Sequence, residues 1–571
     1  MENQKLENLL NLALEATPDE REQSPNLRVG YNSKEETWEL IARYAGDLSP
    51  LLKLGVRVEP LLAGYAILTA PQETIAQLAR LVQITYIEKP KRLYFAAFAA
   101  KAASCLSQLQ TGNGALSGRG TAVAIIDSGI DYFHPDFQNA DGTSRILKLW
   151  DQPSGRVYTR EEINAALRAG SREAGLALVN SVDVSGHGTA VAGIAAGNGR
   201  AGGERYRGVA WESDLFVVRL GNFGSQGFFG TTQLMRGVDG VVREAMALGI
   251  PTAINLSFGN TYGSHDGSSL LETYLDDVSN IGRVAIVVGT GNEGSGAGHT
   301  SGVLRAGEET RVELSVGAYQ TGFGVQLWKS YADEFEVSVI APSGESTGPL
   351  RKTPGNQTFI LGGTKLLVYY GMPSPYSISQ EIYLDFLGQE TYVESGIWVI
   401  RFRPIRLVTG EYDLWLPVQN VLSADTRFLA PKPDTTLTIP ATAAHVISVG
   451  AYNDALSSYA DFSGRGFLRR GKIPKPDLVA PGVGIVAPRA GGGYEAFTGT
   501  SFATPFVSGA ASLLMEWGMV RGNDPFLYGE KLKAYLIRGA RPFPGMTTYP
   551  NPMVGYGALC VKQSIPGEQK L

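Results

Sequence analysis

The chain has 571 residues, a net charge of −5 and 43% hydrophobic residues. That apolar content buries a core and excludes a disordered chain. A mildly acidic sequence without a basic block argues against nucleic acid or anionic membrane as partner. The two cysteines, Cys105 and Cys560, stand far apart, which excludes a disulfide framework. No apolar run approaches the roughly 18 residues of a membrane span. The N-terminus lacks the basic start and continuous apolar run of a signal peptide, so the protein is expected inside the cell.

In chain order, the first hundred residues predict a small α/β unit. Leu27–Asn32 is expected as a strand, Glu35–Leu54 as a helix, and Val56–Ala70 as two β runs. Gln72–Val82 then predicts a helix and Ile84–Glu88 a strand. The order β-α-β-β-α-β suits a ferredoxin-like sheet. The apolar stretch Tyr94–Ala100 follows, and reads either as a short packed helix or as a segment lying in a binding groove.

From about residue 115, strands alternate with helices. Thr121–Ile126 is a continuous apolar run, the signature of a strand covered on both faces. Strands are also expected at Leu215–Arg219, Thr252–Leu256 and Val284–Val288, and helices at Thr189–Ala196 and Leu234–Leu248. This is a parallel sheet with crossover helices. Between about 305 and 435 the pattern becomes all β, with runs such as Val312–Val316, Phe335–Ile340 and Ile397–Phe402. Their spacing predicts a sandwich or jelly roll. The α/β pattern resumes at Ala444–Val449. The expected organisation is a unit at 1–97, an α/β domain at 98–304 and 436–571, and a β domain inserted at 305–435.

Four places carry chemistry. Asp127 ends the apolar strand, where α/β folds place their sites. His187 lies in Ser-Gly-His-Gly-Thr at a helix start, flanked by glycines that leave its imidazole unobstructed. Asn292 lies in Gly-Asn-Glu-Gly just after a strand and could donate to a developing oxyanion. Ser501, in Gly-Thr-Ser-Phe-Ala-Thr-Pro, opens a long helix, where it reads as an N-cap or as a nucleophile favoured by the helix dipole. Taken together, a weak serine nucleophile, a histidine to take its proton, a carboxylate to orient the histidine and an oxyanion donor make one constellation. Gly197–Gly202 fits G-x-G-x-x-G but follows a helix, so it is a loop rather than a nucleotide site. Ser501 is not in G-x-S-x-G, because position 503 is Ala. No His-Glu-x-x-His occurs and the histidines are scattered, so no metal is expected in the catalysis.

These motifs resemble those of the subtilisin-like serine proteases, the subtilases. The match rests on Asp127-Ser-Gly-Ile-Asp131 with His134-Pro-Asp136, Gly186-His-Gly-Thr189, Gly291-Asn-Glu-Gly294, Gly499 to Pro505 and Lys475 to Gly482. The resemblance implies a subtilisin-like parallel sheet with helices on both faces. It makes Asp127 the orienting acid, His187 the general base, Ser501 the nucleophile and Asn292 the oxyanion donor. It also implies a substrate held as an added strand between Ser257, Phe258 and Gly259 on one side and Leu220 and Gly221 on the other. Asp136 matches a calcium ligand of some subtilases, but Gly197–Arg207 departs from the rest of that pattern. No cofactor is required, and calcium is the one cation left open.

The N-terminal unit, the inserted jelly roll and the missing signal are most like the Csp germination proteases of clostridial spores. That subfamily implies a prodomain that acts as chaperone, is clipped by the enzyme itself and can stay bound in the groove; the apolar, small-residue stretch joining it to the catalytic domain places the cut between Leu93 and Ala100. It implies a spore-packaged protease whose substrate is the zymogen of a cortex-lytic enzyme. Two alternatives stay open from sequence: a catalytically silent sensor or scaffold, and a broad intracellular subtilase.

Overall fold

The computed structural model describes residues 4–95, 115–223, 228–469 and 473–566. The helices Asn8–Glu15 and Pro18–Gln23 lead into a split β-α-β-β-α-β unit. Its strands are Thr37–Tyr44, Arg57–Pro60, Tyr65–Pro71 and Ile84–Glu88. Thr37–Tyr44 pairs antiparallel with both Tyr65–Pro71 and Ile84–Glu88, and Arg57–Pro60 takes the far edge. That order is ferredoxin-like, as the sequence predicts.

Two of its elements differ from expectation. Leu27–Asn32 is mostly turn, with only Tyr31–Asn32 paired. Glu35–Leu54 is not a helix: its core is the strand Thr37–Tyr44, and only Ser49–Leu52 is helical. The reason is burial on both faces. Trp38, Leu40 and Ala42 fill the core of this unit, while Ile41 packs into the core of the α/β domain. Ile41 breaks the alternation of Trp38, Leu40 and Ala42 with Glu39 and Arg43, because that outer face docks on the α/β domain.

In the α/β domain the strands run Ile447–Asn453, Val284–Gly289, Thr252–Leu256, Ala122–Asp127, Asp214–Arg219 and Ile146–Asp151, all parallel. Leu478–Pro481 pairs parallel with Ile447–Asn453, and antiparallel Ser458–Tyr459 and Arg156–Thr159 pair with Ile447–Asn453 and Ile146–Asp151 to complete the nine-stranded sheet. Ala122–Asp127 sits at the centre. Val123 and Ile125 point into one core, and Ala122, Ala124 and Ile126 into the other. The chain leaves this strand to one side and later fills the other, so Asp127 ends at a topological switch point, where α/β sheets open a crevice.

The inserted β domain is a sandwich of six and four strands running from His299 to Phe428. Leu327, Leu384, Trp398 and Phe402 lie in its core, and Phe323 stacks on Phe386 at 4.9 Å. Its strand Ser379–Gly388 is buried at every position. One face packs the sandwich core. The other, through Tyr383 and Leu387, packs the N-terminal unit.

The N-terminal unit is therefore wedged between the α/β domain and the insert. On the α/β side, Arg236 bonds Glu39 at 2.9 Å and Glu59 at 2.7 Å, and the Leu62 amide donates to Asp239 at 2.7 Å. Near the insert, Lys91 lies 2.7 Å from Glu7 and 3.0 Å from Glu88. Glu88 in turn accepts the Leu270 amide at 3.1 Å. Burial pushes the Glu88 carboxyl up, and the two carboxylates hold Lys91 protonated, well above its ordinary range. Lys91→Met leaves those carboxylates without their cation. Breaking such a pair is expected to cost about 3 kcal/mol or more, read as a lowered Tm in thermal denaturation. An unchanged Tm would show that the ion pairs contribute nothing to stability.

Candidate active site

Asp127 is fully buried at the end of the central strand. His187 begins the helix His187–Ala196, whose N-cap, Gly186, has φ 76°, a left-handed conformation that glycine adopts without strain. Gly188 follows. A Cβ there would sit 2.2 Å from the Gly129 carbonyl oxygen, so only glycine lets the helix start rest on the loop after Asp127. That approach sets His187 Nδ1 at 2.8 Å from Asp127 Oδ1. The same oxygen accepts the Ser128 amide at 2.7 Å. With Nδ1–H donating to Asp127, Nε2 is the nitrogen that takes a proton.

Ser501 is the second residue of the helix Thr500–Met515, where the dipole favours negative charge. Its hydroxyl donates to the Ser257 carbonyl at 2.7 Å, and the Ser257 hydroxyl donates to the Ser501 carbonyl at 3.0 Å. The nucleophile is thus tied to the edge that the sequence marks for substrate. Asn292 Oδ1 accepts the Thr500 amide and the Thr500 hydroxyl, both at 3.1 Å. Those donors fix the amide so that its NH₂ points away from Thr500 and stays available to an oxyanion. Asn292 and Ser501 line one cavity of about 420 Å³, with Ser257, Phe258 and Gly259 on its other side.

The groove is occupied by the chain itself. The strand Arg92–Phe95 pairs antiparallel with Phe258–Gly259, in the register Phe95 opposite Phe258 and Tyr94 opposite Gly259. Its other edge pairs with Phe229 and Gly230. Leu220 and Gly221 are not that edge. Leu220 is buried in the core and the Gly221 amide donates to Gln152 at 3.1 Å. The chain turns away after Arg219 and returns at Phe228–Gly230 to form the wall. Of the two readings of Tyr94–Ala100, the groove holds for Tyr94 and Phe95; residues 96–100 lie outside the described residues.

The calcium expectation does not fit. Both Asp136 oxygens accept the Tyr494 hydroxyl at 2.9 Å, and Oδ1 also accepts the Ala201 amide at 2.9 Å. The carboxylate is fully buried and already partnered. Among the described residues no cluster of three or more His, Cys, Asp or Glu is placed to hold a metal.

One site residue escaped the sequence. Asp183 accepts the Gly186 amide at 2.9 Å, the Ser128 hydroxyl at 2.7 Å, and the Thr189 amide and hydroxyl at 2.8 and 2.7 Å. It anchors both the helix that carries His187 and the residue after Asp127. An acidic residue just ahead of a helix start was the available signal.

Asp183→Asn places an NH₂ against backbone donors. A cost of about 1–3 kcal/mol in stability is expected, with a turnover drop measured on a peptide substrate; full activity and an unchanged Tm would remove Asp183 from the site. Asn292→Ala is expected to lower turnover while leaving it measurable. In subtilisin the loss of one oxyanion donor costs roughly 10²–10³. Wild-type turnover in that variant would assign the oxyanion elsewhere.

Comparison with known proteins agrees with this geometry. The Csp protease B prodomain family matches residues 4–91, and the Subtilase family matches residues 118–371 and 428–557. The structure of the Clostridium perfringens CspB protease is 39% identical, with a TM-score of 0.76, over 81% of this chain and 95% of that one. The minor extracellular protease Vpr of Bacillus subtilis is 25% identical over 475 residues, 79% of this chain and 52% of Vpr. Serine protease AprX of Bacillus subtilis is 32% identical over 157 residues, 24% of this chain and 33% of AprX. The chain spans about half or less of these two curated relatives. With a Csp-type prodomain ahead of a subtilase sheet, the chain belongs to the subtilase family of serine proteases.

Proposed function

We propose that this chain is a serine endopeptidase that first cuts its own backbone after the prodomain and then activates a protein zymogen by limited proteolysis. The observation that carries the reading is the strand Arg92–Phe95, held between Phe258–Gly259 and Phe229–Gly230 and running toward Ser257 and Ser501. An extended chain added to both edges presents its next peptide bond to the nucleophile.

The chemistry follows from the site. A substrate amide that donates to the Ser257 carbonyl frees the Ser501 hydroxyl to turn toward His187. His187 takes the hydroxyl proton at Nε2, while Asp127 steadies the imidazolium through Nδ1. Ser501 Oγ bonds to the scissile carbonyl carbon, and Asn292 donates to the oxygen that becomes negative. The C–N bond then breaks, the amine leaves with the proton from His187, and water hydrolyses the acyl-enzyme by the same steps.

The likeness to the Clostridium perfringens CspB protease supports a germination role, in which the substrate is the zymogen of a cortex-lytic enzyme in the spore. The prodomain contacts on two sides support its retention as an inhibitor after the cut. No helix among the described residues is long and apolar enough to cross a membrane.

Purified wild type and Ser501→Ala are compared by intact mass and N-terminal sequencing. Wild type is expected as two chains, with the new N-terminus arising from a cut between Phe95 and Ala100. Ser501→Ala is expected as one chain, because loss of the serine costs roughly 10⁶ in turnover in subtilisin. Equal processing of both proteins would overturn the reading.

A further inference from the structure

The prodomain, the insert and the α/β domain meet around a small cavity of about 50 Å³ at the root of the strand that fills the groove. Lys91 stands there, directly ahead of Arg92–Phe95, and its carbonyl and amide are bonded to Thr231 at 2.9 and 3.1 Å. Three carboxylates face the same cavity, Glu7 and Glu88 from the prodomain and Glu381 from the insert. Lys91 Nζ lies 2.7 Å from Glu7 and 3.0 Å from Glu88. Those two carboxylates are served again by backbone, because Glu7 accepts the Lys89 amide at 3.0 Å and Glu88 the Leu270 amide at 3.1 Å. Among the described residues Glu381 has no ion pair, and its side chain has one donor, Asn8 Nδ2 at 3.2 Å. Glu381 is the surplus charge.

The joint is too tight for water to screen that charge. Glu88 is 6% and Glu381 7% exposed. A Cβ on Gly371, whose amide bonds the Glu381 carbonyl, would sit 2.3 Å from Asn8 Nδ2. The other ionisable groups around Glu381 do not neutralise it. Tyr86 lines the cavity with a phenol that burial keeps neutral. Asp266 of the α/β domain accepts the hydroxyls of Ser264, Ser268 and Ser377 and adds a further negative charge. Arg469 reaches Ser379 on the same face of the strand, and is paired with Asp413 at 3.3 Å. Farther along that face, Lys89 and Asp385 are fully buried with opposite signs and offset each other. Three carboxylates around one ammonium, shut off from water, hold a proton between them. Burial and the charge of Glu7 raise Glu381 to about 7, and burial moves Glu88 in the same direction.

We propose that this junction is a pH-sensitive latch on the prodomain: a proton held at Glu381 closes the joint between prodomain and insert, and its loss opens the joint and loosens the strand Arg92–Phe95 in the groove. The latch itself follows from the charges at the joint; its role in clearing the groove for substrate rests on the protease reading above. Once the prodomain lifts, Glu381 faces water and titrates near its ordinary value of 4.5. The closed joint therefore keeps a proton that the open one gives up. Docking is at full strength below about 4.5, weakens as the pH rises from there, and has lost this contribution by about 7. Asp385, which burial raises to about 7, weakens docking over the same window. Lys89, which burial lowers to about 7, is charged in both states below that value and opposes neither.

The test uses the full chain carrying Ser501→Ala, so that its backbone stays whole. Hydrogen exchange is followed at the amides of Ile84–Phe95 and expressed as protection factors, which remove the intrinsic pH dependence of exchange. Protection is expected to fall roughly tenfold or more between about pH 5 and about pH 7.5. Glu381→Gln, added to this chain, fixes the neutral form. It is expected to stay within a few-fold of the parent near pH 5 and to exceed it roughly tenfold or more near pH 7.5. Asp385 is common to both chains, so the difference between them isolates Glu381. Glu7→Gln is the second variant. It removes one of the charges that oppose ionisation of Glu381, and is expected to make the fall shallower. Protection that does not fall in the parent, or that falls equally in both variants, overturns the latch and leaves the protease reading intact. With Ser501 restored, a fluorophosphonate is expected to label Glu381→Gln several-fold more slowly than wild type near pH 7.5. Equal labelling of the two removes the latch from control of the groove. Wild-type labelling no stronger than in Ser501→Ala overturns the protease reading, and the exchange result then decides the latch alone.

Discussion

The site depends on one close approach between two stretches of backbone. The first turn of the helix His187–Ala196 rests on the carbonyl of Gly129, at a distance that excludes any Cβ on Gly188. Asp127 cannot move to meet His187, because it ends a strand buried on both faces. The histidine must come to it, and glycine at 188 is what allows that. The left-handed Gly186 turns the chain into the helix, and Asp183 ties the turn down from below. The bond from His187 to Asp127 is thus a result of packing before it is a feature of catalysis. Ser501 and Asn292 are placed by an independent fastening, Thr500 onto Asn292 and Ser501 onto Ser257.

This explains what was legible in the sequence. Glycine beside His187 and small residues around Ser501 are local requirements, and they stand in the sequence as motifs. The central sheet was legible because parallel strands covered on both faces read as unbroken apolar runs. The prodomain strand Thr37–Tyr44 failed for a related reason: it is covered on one side by its own helices and on the other by a different domain, and nothing local announces the second cover. The far wall of the groove was misplaced because Leu220 and Gly221 follow directly on a strand and read as its continuation. Gln152 holds Gly221 instead, and the wall is built by residues that return later. Asp183 makes no motif; its role appears only once Ser128, Gly186 and Thr189 are brought around it.

The insert follows the same logic. An antiparallel sheet can leave one face to water, yet Ser379–Gly388 is buried at every residue. Its outer face is covered by the N-terminal unit, so insert and prodomain complete each other. Asn8 donates to Glu381 at 3.2 Å, and Asn26 donates to Tyr383 at 2.9 Å and to Tyr262 of the α/β domain at 2.6 Å. Asn26 alone therefore joins all three parts of the molecule.

These contacts bear on what a cut after Phe95 would change. The ordinary consequence of cleaving a linker is that its two sides separate. Here the prodomain is held by apolar packing and ion pairs against two surfaces, none of which lies in the linker. Cutting the backbone leaves those surfaces intact, so the strand Arg92–Phe95 stays in the groove by attachment to a docked body. A tethered strand acts at an effective concentration set by that docking, far above any free peptide. A substrate must then displace the strand locally or wait for the prodomain to lift, and both routes are limited by the contacts with the insert and with the helices beneath. On the proposed reading, what governs the mature enzyme is the stability of the prodomain interface, with the His187–Asp127 pair already set behind it.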